Sequence, residues 1–248
     1  MKLSAIFNQT LNESDWQEEH ERLLLQEIKD WCQKMRITNP RITKEGGEFV
    51  INCSSNVQIL ADELDYDDEN LAFLPYKFGE VEGNFTIIPG KFTKLRSLKN
   101  GPYMVYGNYT ARGLFLESLE GAPGSVSNIF DVGNNKLATW DNFPGQVGEI
   151  RVVGNNIPSF KGIKDHVQIC KEIVADVSCR TGVFELFKID WLEKVSFKAT
   201  GISHITDDLA KEIEIAEAII NKHLQGDRDI IDVQSDFIDA DLGSWVKR

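Results

Sequence analysis

The residue types that most often carry chemistry are few in this chain and stand far apart. Its four histidines and four cysteines are His20, His166, His204, His223, Cys32, Cys53, Cys170 and Cys179. None of them forms a recognisable nucleophile motif or the paired spacing of a zinc or disulfide-exchange site. We therefore predict no catalytic residue, no metal site, no cofactor, and thiols that stay reduced. Enzymes that use carboxylates leave little trace in sequence. An enzyme with an unrecognised carboxylate site in the C-terminal part is therefore the last of three alternatives, after a binding role and a structural role.

An acidic run at residues 62–69 could offer oxygen ligands to a calcium ion. It reads Asp-Glu-Leu-Asp-Tyr-Asp-Asp-Glu. It lacks the glycine and the alternating order of oxygen ligands that a calcium loop needs. We interpret the run as a solvated turn.

The elements that could position a binding surface come from a repeat between residues 70 and 163. Leu95, Leu116 and Leu137 follow one another at intervals of 21 residues. An earlier copy stands at an offset of 24, and a last copy is one residue shorter. Such a period is typical of leucine-rich repeats, in which each coil supplies one short strand and one return segment. We predict an α/β repeat fold, a short leucine-rich-repeat-like solenoid of about four coils of roughly 20 to 24 residues.

The predicted solenoid occupies residues 46–163 and is closed by a helical cap at each end. Residues 1–45 form the N-terminal cap, with Ile28, Trp31 and Met35 on the apolar face of a helix. Residues 164–248 form an acidic C-terminal cap. Its predicted helices are a short one at Val167–Val177, an amphipathic one at Asp207–Leu224 and a last one at Asp229–Leu242. Caps are needed because an open solenoid end would expose its core.

One row of side chains points away from the predicted core and is the candidate binding surface. In each copy two apolar residues two positions apart point inward, so the residue between them points outward. The outward residues are Thr86, Thr110, Asp131 and Arg151 in successive copies. The flanking outward positions are Asn84, Asn108, Ile129 and Glu149 on one side, and Ile88, Arg112, Gly133 and Val153 on the other.

We name six of these residues the ribbon: Thr86, Thr110, Arg112, Asp131, Glu149 and Arg151. Sheet faces of solenoids often bind partners, which favours a protein-binding role for the ribbon. The alternative is that its polar side chains serve solubility alone.

The net charge of the chain indicates which classes of partner it favours. The formal net charge is −12, from 39 acidic and 27 basic residues. This balance makes nucleic acid an improbable partner, because phosphate contacts need clustered lysine and arginine. A basic protein surface suits it, and the acidic C-terminal region is a second candidate for docking on such a surface or imitating nucleic acid. The favoured interpretation of that region is a capping bundle with a solvated acidic face. No apolar run reaches the length of a membrane span, so no membrane partner is predicted.

The segment Leu-Glu-Ser-Leu-Glu-Gly-Ala-Pro at residues 116–123, followed by Val126, Phe130 and Asn135, carries a family resemblance. It resembles the repeat of uncharacterised leucine-rich-repeat-like proteins of large contractile-tailed bacteriophages. The segments 74–81 and 219–224 are similar to the lead-in and closing segments of that family. The resemblance implies a phage origin and a small solenoid between helical caps, and it transfers no activity to any residue.

From these observations we predict a non-catalytic protein–protein interaction module of a bacteriophage. Its partner would be a host or phage protein in the cytoplasm of the infected bacterium, bound for host takeover or counter-defence. The alternative is a structural component of the virion, in the head, neck or baseplate.

Overall fold

Most of the chain forms short strands of one sheet, in a computed structural model that describes residues 13–64, 73–91, 95–200 and 206–246. The strands of these residues are, in chain order, β1 (Pro40–Glu45), β2 (Glu48–Cys53), β3 (Val57–Leu60), β4 (Lys77–Val81), β5 (Phe85–Ile88), β6 (Met104–Val105), β7 (Tyr109–Thr110), β8 (Ser125–Asp131), β9 (Gln146–Arg151), β10 (Ile169–Asp176) and β11 (Lys194–Lys198).

The sheet is open and has two branches that meet at β8. One branch runs β1-β2-β4-β6 and the other runs β3-β5-β7. Strand β8 pairs with β6 through its first half and with β7 through its second half. Strands β9, β10 and β11 then continue the sheet on the far side of β8. Among these eleven described strands, only β1 and β2 pair in antiparallel fashion, so the sheet is mixed.

Neighbouring strands pair in the register that the sequence offsets indicate. Phe85 lies beside Tyr109, Tyr109 beside Phe130, and Phe130 beside Ile150. All four side chains are buried. Because their strands are parallel neighbours, residues at equivalent offsets form straight rows across the sheet, one row inside and the next outside.

The predicted short leucine-rich-repeat-like solenoid between two helical caps is wrong. The described residues form an eleven-stranded mixed sheet with a few helices. A leucine-rich repeat supplies one strand per coil, whereas the copies around residues 77–88 and 104–110 each supply two short strands. The region predicted as the N-terminal cap contains β1, and the region predicted as the C-terminal cap contains β10 and β11. Leucine spacing alone did not reveal that these two copies each divide into two strands at a Gly-Asn pair, Gly83-Asn84 in the first and Gly107-Asn108 in the second.

Four α-helices lie among the described residues: α1 (Glu13–Lys34), α2 (Ile163–His166), α3 (Asp207–Leu224) and α4 (Ile230–Asp239). Short 3-10 helices span Ala61–Glu63, Val177–Cys179 and Val183–Lys188. The predicted helix at Asp207–Leu224 is confirmed, and Thr206 caps it by accepting a hydrogen bond from the Leu209 amide at 3.2 Å.

The predicted helix at Val167–Val177 is wrong, because most of this segment is strand β10. It lies between β9 and β11, and Ile173 pairs with Ile150 on one side and Val195 on the other. A short apolar segment rich in β-branched residues fits a strand as well as a helix. This segment forms a strand because β9 has backbone amides and carbonyls that need a partner on its side away from β8. Strand β10 pairs with them, whereas a helix would leave them unpaired.

An aromatic column fills the core from one end of the molecule to the other. Successive ring centroids lie between 4.9 Å and 6.3 Å apart, at stacked, tilted or edge-on angles. Its members are Trp31, Phe78, Phe85, Tyr109, Phe130, Phe143, Trp140, Phe160, Phe197, Trp245 and Phe237. The column joins α1, the sheet and α4 in one continuous core.

A buried asparagine fixes the chain where one copy turns into the next. Asn135 is 6% exposed, and its Oδ1 accepts hydrogen bonds from the amides of Leu114 at 2.9 Å and Leu116 at 3.1 Å. Its Nδ2 donates to the carbonyls of Ala111 at 2.8 Å and Val132 at 2.9 Å. One side chain thus satisfies four backbone groups that no strand partner reaches.

Helix α3 seals the free edge of β11 with side chains. Asn221 accepts from the Val195 amide at 2.7 Å and donates to the Val195 carbonyl at 3.1 Å, as a neighbouring strand would. Glu217 accepts from the Phe197 amide at 2.5 Å. Edge strands with free amides are sites for unwanted pairing, and these contacts remove them on β11.

Candidate interaction surface

The central row of the ribbon lies across four adjacent strands. Thr86 on β5 pairs with Thr110 on β7, Thr110 with Asp131 on β8, and Asp131 with Arg151 on β9. All four residues are partly exposed. At about 4.8 Å per strand, the row is about 14 Å long.

Arg112 and Glu149 join this row through ion pairs. Arg112 Nη1 lies 3.5 Å from Asp131 Oδ1, and Arg151 Nε donates to Glu149 Oε1 at 2.5 Å. The arginine side chains are 44% and 42% exposed, whereas their carboxylate partners are 14% and 20% exposed. The less exposed carboxylates therefore fix the positions of the more exposed arginine side chains, which stay accessible to a partner. The structure brings all six ribbon residues together, and their binding role stays a prediction.

The electrostatics of the ribbon centre on Arg151. Its pKa is raised, chiefly by the hydrogen bond to Glu149, while partial burial works in the opposite direction. The carboxylates of Asp131 and Glu172 raise this pKa further. The guanidinium is thus a permanent cation in the middle of the ribbon.

Sequence reasoning missed two charged residues that continue the ribbon. Glu149 pairs in register with Glu172 on β10, and Glu172 pairs with Lys194 on β11. Lys194 Nζ contacts Glu172 Oε1 at 2.7 Å, and this hydrogen bond raises the pKa of Lys194. Glu172 was missed because residues 167–177 were predicted to be helical, and Lys194 was missed because no strand was predicted at its position. The clustered β-branched residues beside Glu172 were the signal that could have revealed a strand.

Two asparagines expected to point outward beside the ribbon have a structural role instead. Asn84 Oδ1 accepts from the Asn108 amide at 2.8 Å, and Asn108 Oδ1 accepts from the Ile129 amide at 3.2 Å. Gly107 sits against this contact, and a Cβ there would come within 2.5 Å of Asn84 Oδ1. The Gly-Asn pair therefore joins successive copies, and these side-chain oxygens are already engaged.

His166 and His223, which the structure describes, each contact a carboxylate of their own. His166 Nε2 lies 3.1 Å from Asp141 Oδ1, and buried His223 Nε2 lies 2.8 Å from Asp236 Oδ2. Hydrogen bonds from Lys222 and then His223 lower the pKa of Asp236. His204, which could have met His223, lies outside the described residues, as does most of the acidic run at 62–69.

All four cysteines are buried and unpaired. Burial raises the pKa of Cys32 to about 11 and those of Cys53 and Cys170 to about 12. These groups are therefore thiols at neutral pH, and thiols are poor nucleophiles compared with thiolates. Within the part of the chain that the structure describes, no group of three or more His, Cys, Asp or Glu residues is placed to hold a metal ion.

In the described ranges no helix is long and apolar enough to cross a membrane.

Comparison with known proteins identifies no relative of this chain. No family model, no curated protein and no solved structure matches the chain.

Proposed function

We propose that this chain is a non-catalytic protein-binding module of a bacteriophage, and that its ribbon contacts a host or phage protein in the cytoplasm of the infected bacterium. The observation that carries the proposal is the ordered row of charged and hydroxyl side chains across β5, β7, β8 and β9. The phage origin rests on the resemblance of the repeat at residues 116–123.

The ribbon has two properties that favour protein binding. Its arginines combine charge, several donors and apolar surface, and arginine is enriched where binding energy concentrates. The carboxylates of Asp131 and Glu149 also hold these arginines in place before a partner arrives. Pre-ordered side chains lose less conformational entropy on binding, which raises affinity.

The partner surface should carry both signs of charge. A chain of net charge −12 attracts basic proteins at long range and repels acidic ones. At close range, the tips of Arg112 and Arg151 need carboxylates or carbonyl oxygens. A basic protein with one or two carboxylates in the contact patch meets both requirements.

The test is purification of the tagged protein from infected cells, with mass spectrometry of what it retains. We expect one stoichiometric protein partner, retained by the wild type and lost by the double variant Arg112→Gln with Arg151→Gln. The matched control is Arg96→Gln with Lys211→Gln, which removes the same charge from two exposed residues outside the ribbon. The control should retain the partner.

Two results would contradict the proposal. If the ribbon variant retained the partner as the wild type does, the ribbon would not be the contact surface. If washed phage particles contained the protein at a fixed copy number, the protein would be a virion component instead of a cytoplasmic factor.

A further inference from the structure

A cleft of about 550 Å³ lies away from the ribbon, at the junction of the last turns of the sheet and helix α4. One wall is the turn from Ser159 to Lys161, a second wall is the segment from Thr181 to Lys188, and Ile230 closes the third side from the first residue of α4. This volume lies within the range of about 300 to 1,000 Å³ that small-molecule sites occupy.

Backbone contacts hold the walls of the cleft in place. The Phe160 amide donates to the Thr181 carbonyl at 2.9 Å, which ties the first two walls together. Trp140 Nε1 donates to the Ser159 carbonyl at 2.8 Å from the core side. Gly182 has a φ of +74°, and a Cβ there would lie 3.1 Å from the Lys161 amide nitrogen. The cleft is therefore a preformed feature of the fold, as ligand sites usually are.

The lining offers an apolar surface and hydroxyl groups. Phe184 is partly exposed, and Ile230, which is 37% exposed, faces the same space from another element. Ser159 Oγ accepts from the Lys161 amide at 3.2 Å, so its hydroxyl proton is free to donate. An apolar ring or chain would bury surface against Phe184 and Ile230, and an acceptor could meet Ser159.

The charge of the cleft is opposite to that of the whole molecule. Its ionisable lining residues are Lys161, Lys188 and Glu185, which sum to one positive charge, while the chain carries −12. Lys188 Nζ and Glu185 Oε1 pair at 2.7 Å. Lys161 is exposed and forms no ion pair with a described residue. One lysine is thus left to meet an anion.

We propose that this cleft binds a small organic anion that joins an apolar ring or chain to a single acidic group. The acidic group contacts Lys161 and the Ser159 hydroxyl, and the apolar part lies between Phe184 and Ile230. This site is separate from the ribbon and does not depend on the protein-binding role.

The test uses two probes that share their rings and differ in charge. Anilinonaphthalene sulfonate has apolar rings and one sulfonate, and N-phenylnaphthylamine has the same rings without the sulfonate. Binding of each to the full chain is followed by fluorescence titration. We expect one equivalent of the sulfonate to bind, and Lys161→Glu to weaken it about tenfold while leaving the uncharged probe unchanged.

Two matched controls separate the cleft from other surfaces. Lys164→Glu makes the same charge change three residues away and outside the lining, so it should bind both probes as the wild type does. Ile230→Ser should weaken both probes. Ile231→Ser alters the neighbouring isoleucine, which is 76% exposed and outside the lining, and should change neither.

The proposal is overturned if the sulfonate does not bind, or if several equivalents bind without saturation. It is also overturned if Lys161→Glu and Lys164→Glu weaken the sulfonate equally, because a general charge effect would then explain the result. Equal effects of Ile230→Ser and Ile231→Ser would place the probe on the exposed surface of α4 and reject the cleft as well.

Discussion

The inner and outer faces of strands β5, β7, β8 and β9 carry different kinds of side chain. On the inner face Phe85, Tyr109, Phe130 and Ile150 are fully buried, and each pairs in register with the next. On the outer face, one residue further along each strand, the ribbon carries hydroxyls and ion pairs that stay in water. Packing therefore determines identity on the inner face, whereas the outer face can change without loss of the fold. Four variants test this contrast.

The largest loss should come from the inner row. Phe130→Ala removes a ring that stacks on Tyr109 at 5.3 Å and contacts Phe143 at 5.8 Å. We expect the free energy of unfolding to fall by about 3 to 5 kcal/mol, measured by denaturant titration. Thr110→Ala, on the outer face of β7, is the control and should cost less than about 1 kcal/mol. Equal losses would show that the two faces do not differ.

A smaller loss should follow removal of the buried asparagine. Asn135→Ala leaves the amides of Leu114 and Leu116 without an acceptor in a site that is 6% exposed. An unsatisfied buried group costs about 1 to 3 kcal/mol, so we expect a loss of about 2 to 4 kcal/mol for the whole network. Exposed Asn128→Ala should be nearly neutral. A neutral Asn135→Ala would mean that water replaces the side chain without cost.

Substitution of one residue on the inner face should stabilise the protein. The Tyr109 hydroxyl is buried and has no hydrogen-bond partner among the described residues, and burial raises its pKa. Tyr109→Phe removes an unsatisfied polar group and keeps the ring, so the free energy of unfolding should rise by about 1 kcal/mol. Tyr76→Phe is the opposite control, because the Tyr76 hydroxyl donates to Glu27 at 2.7 Å. A loss at Tyr109 would indicate a bound water that the hydroxyl needs.

The smallest effect on stability should come from the ribbon. Arg112→Gln with Arg151→Gln breaks two ion pairs whose arginines are 44% and 42% exposed. Exposed pairs contribute about 0 to 1 kcal/mol each, so the melting temperature should change little by calorimetry. A fall as large as that of Phe130→Ala would make the ribbon part of the fold and weaken its role as a binding surface.

The sequence predicted which residues lie side by side across the sheet better than it predicted the fold. Offsets between equivalent residues indicated which side chains are neighbours, because parallel strands preserve such offsets as register. They did not indicate that the copies around residues 77–88 and 104–110 each divide into two strands at a Gly-Asn pair, where Gly107 packs on Asn84 and Asn84 accepts from the Asn108 amide. Side-chain hydrogen bonds to the backbone of another copy leave no periodic trace of their own.

Errors in the candidate site have a related cause. Glu172 and Lys194 were missed because β10 becomes a strand only through its neighbours β9 and β11. The helix at Asp207–Leu224 was predictable from local signals, since its cap and apolar spacing lie within its own residues. Local information therefore identified α3, and long-range pairing decided β10.

The sealed edge of β11 also affects how copies of the protein could assemble. A sheet fibre grows only if each molecule offers two free edges, one for the molecule before it and one for the molecule after it. Here Asn221 and Glu217 already satisfy the amide and carbonyl of Val195 and the amide of Phe197. Open-ended polymerisation through β11 would therefore first require α3 to detach.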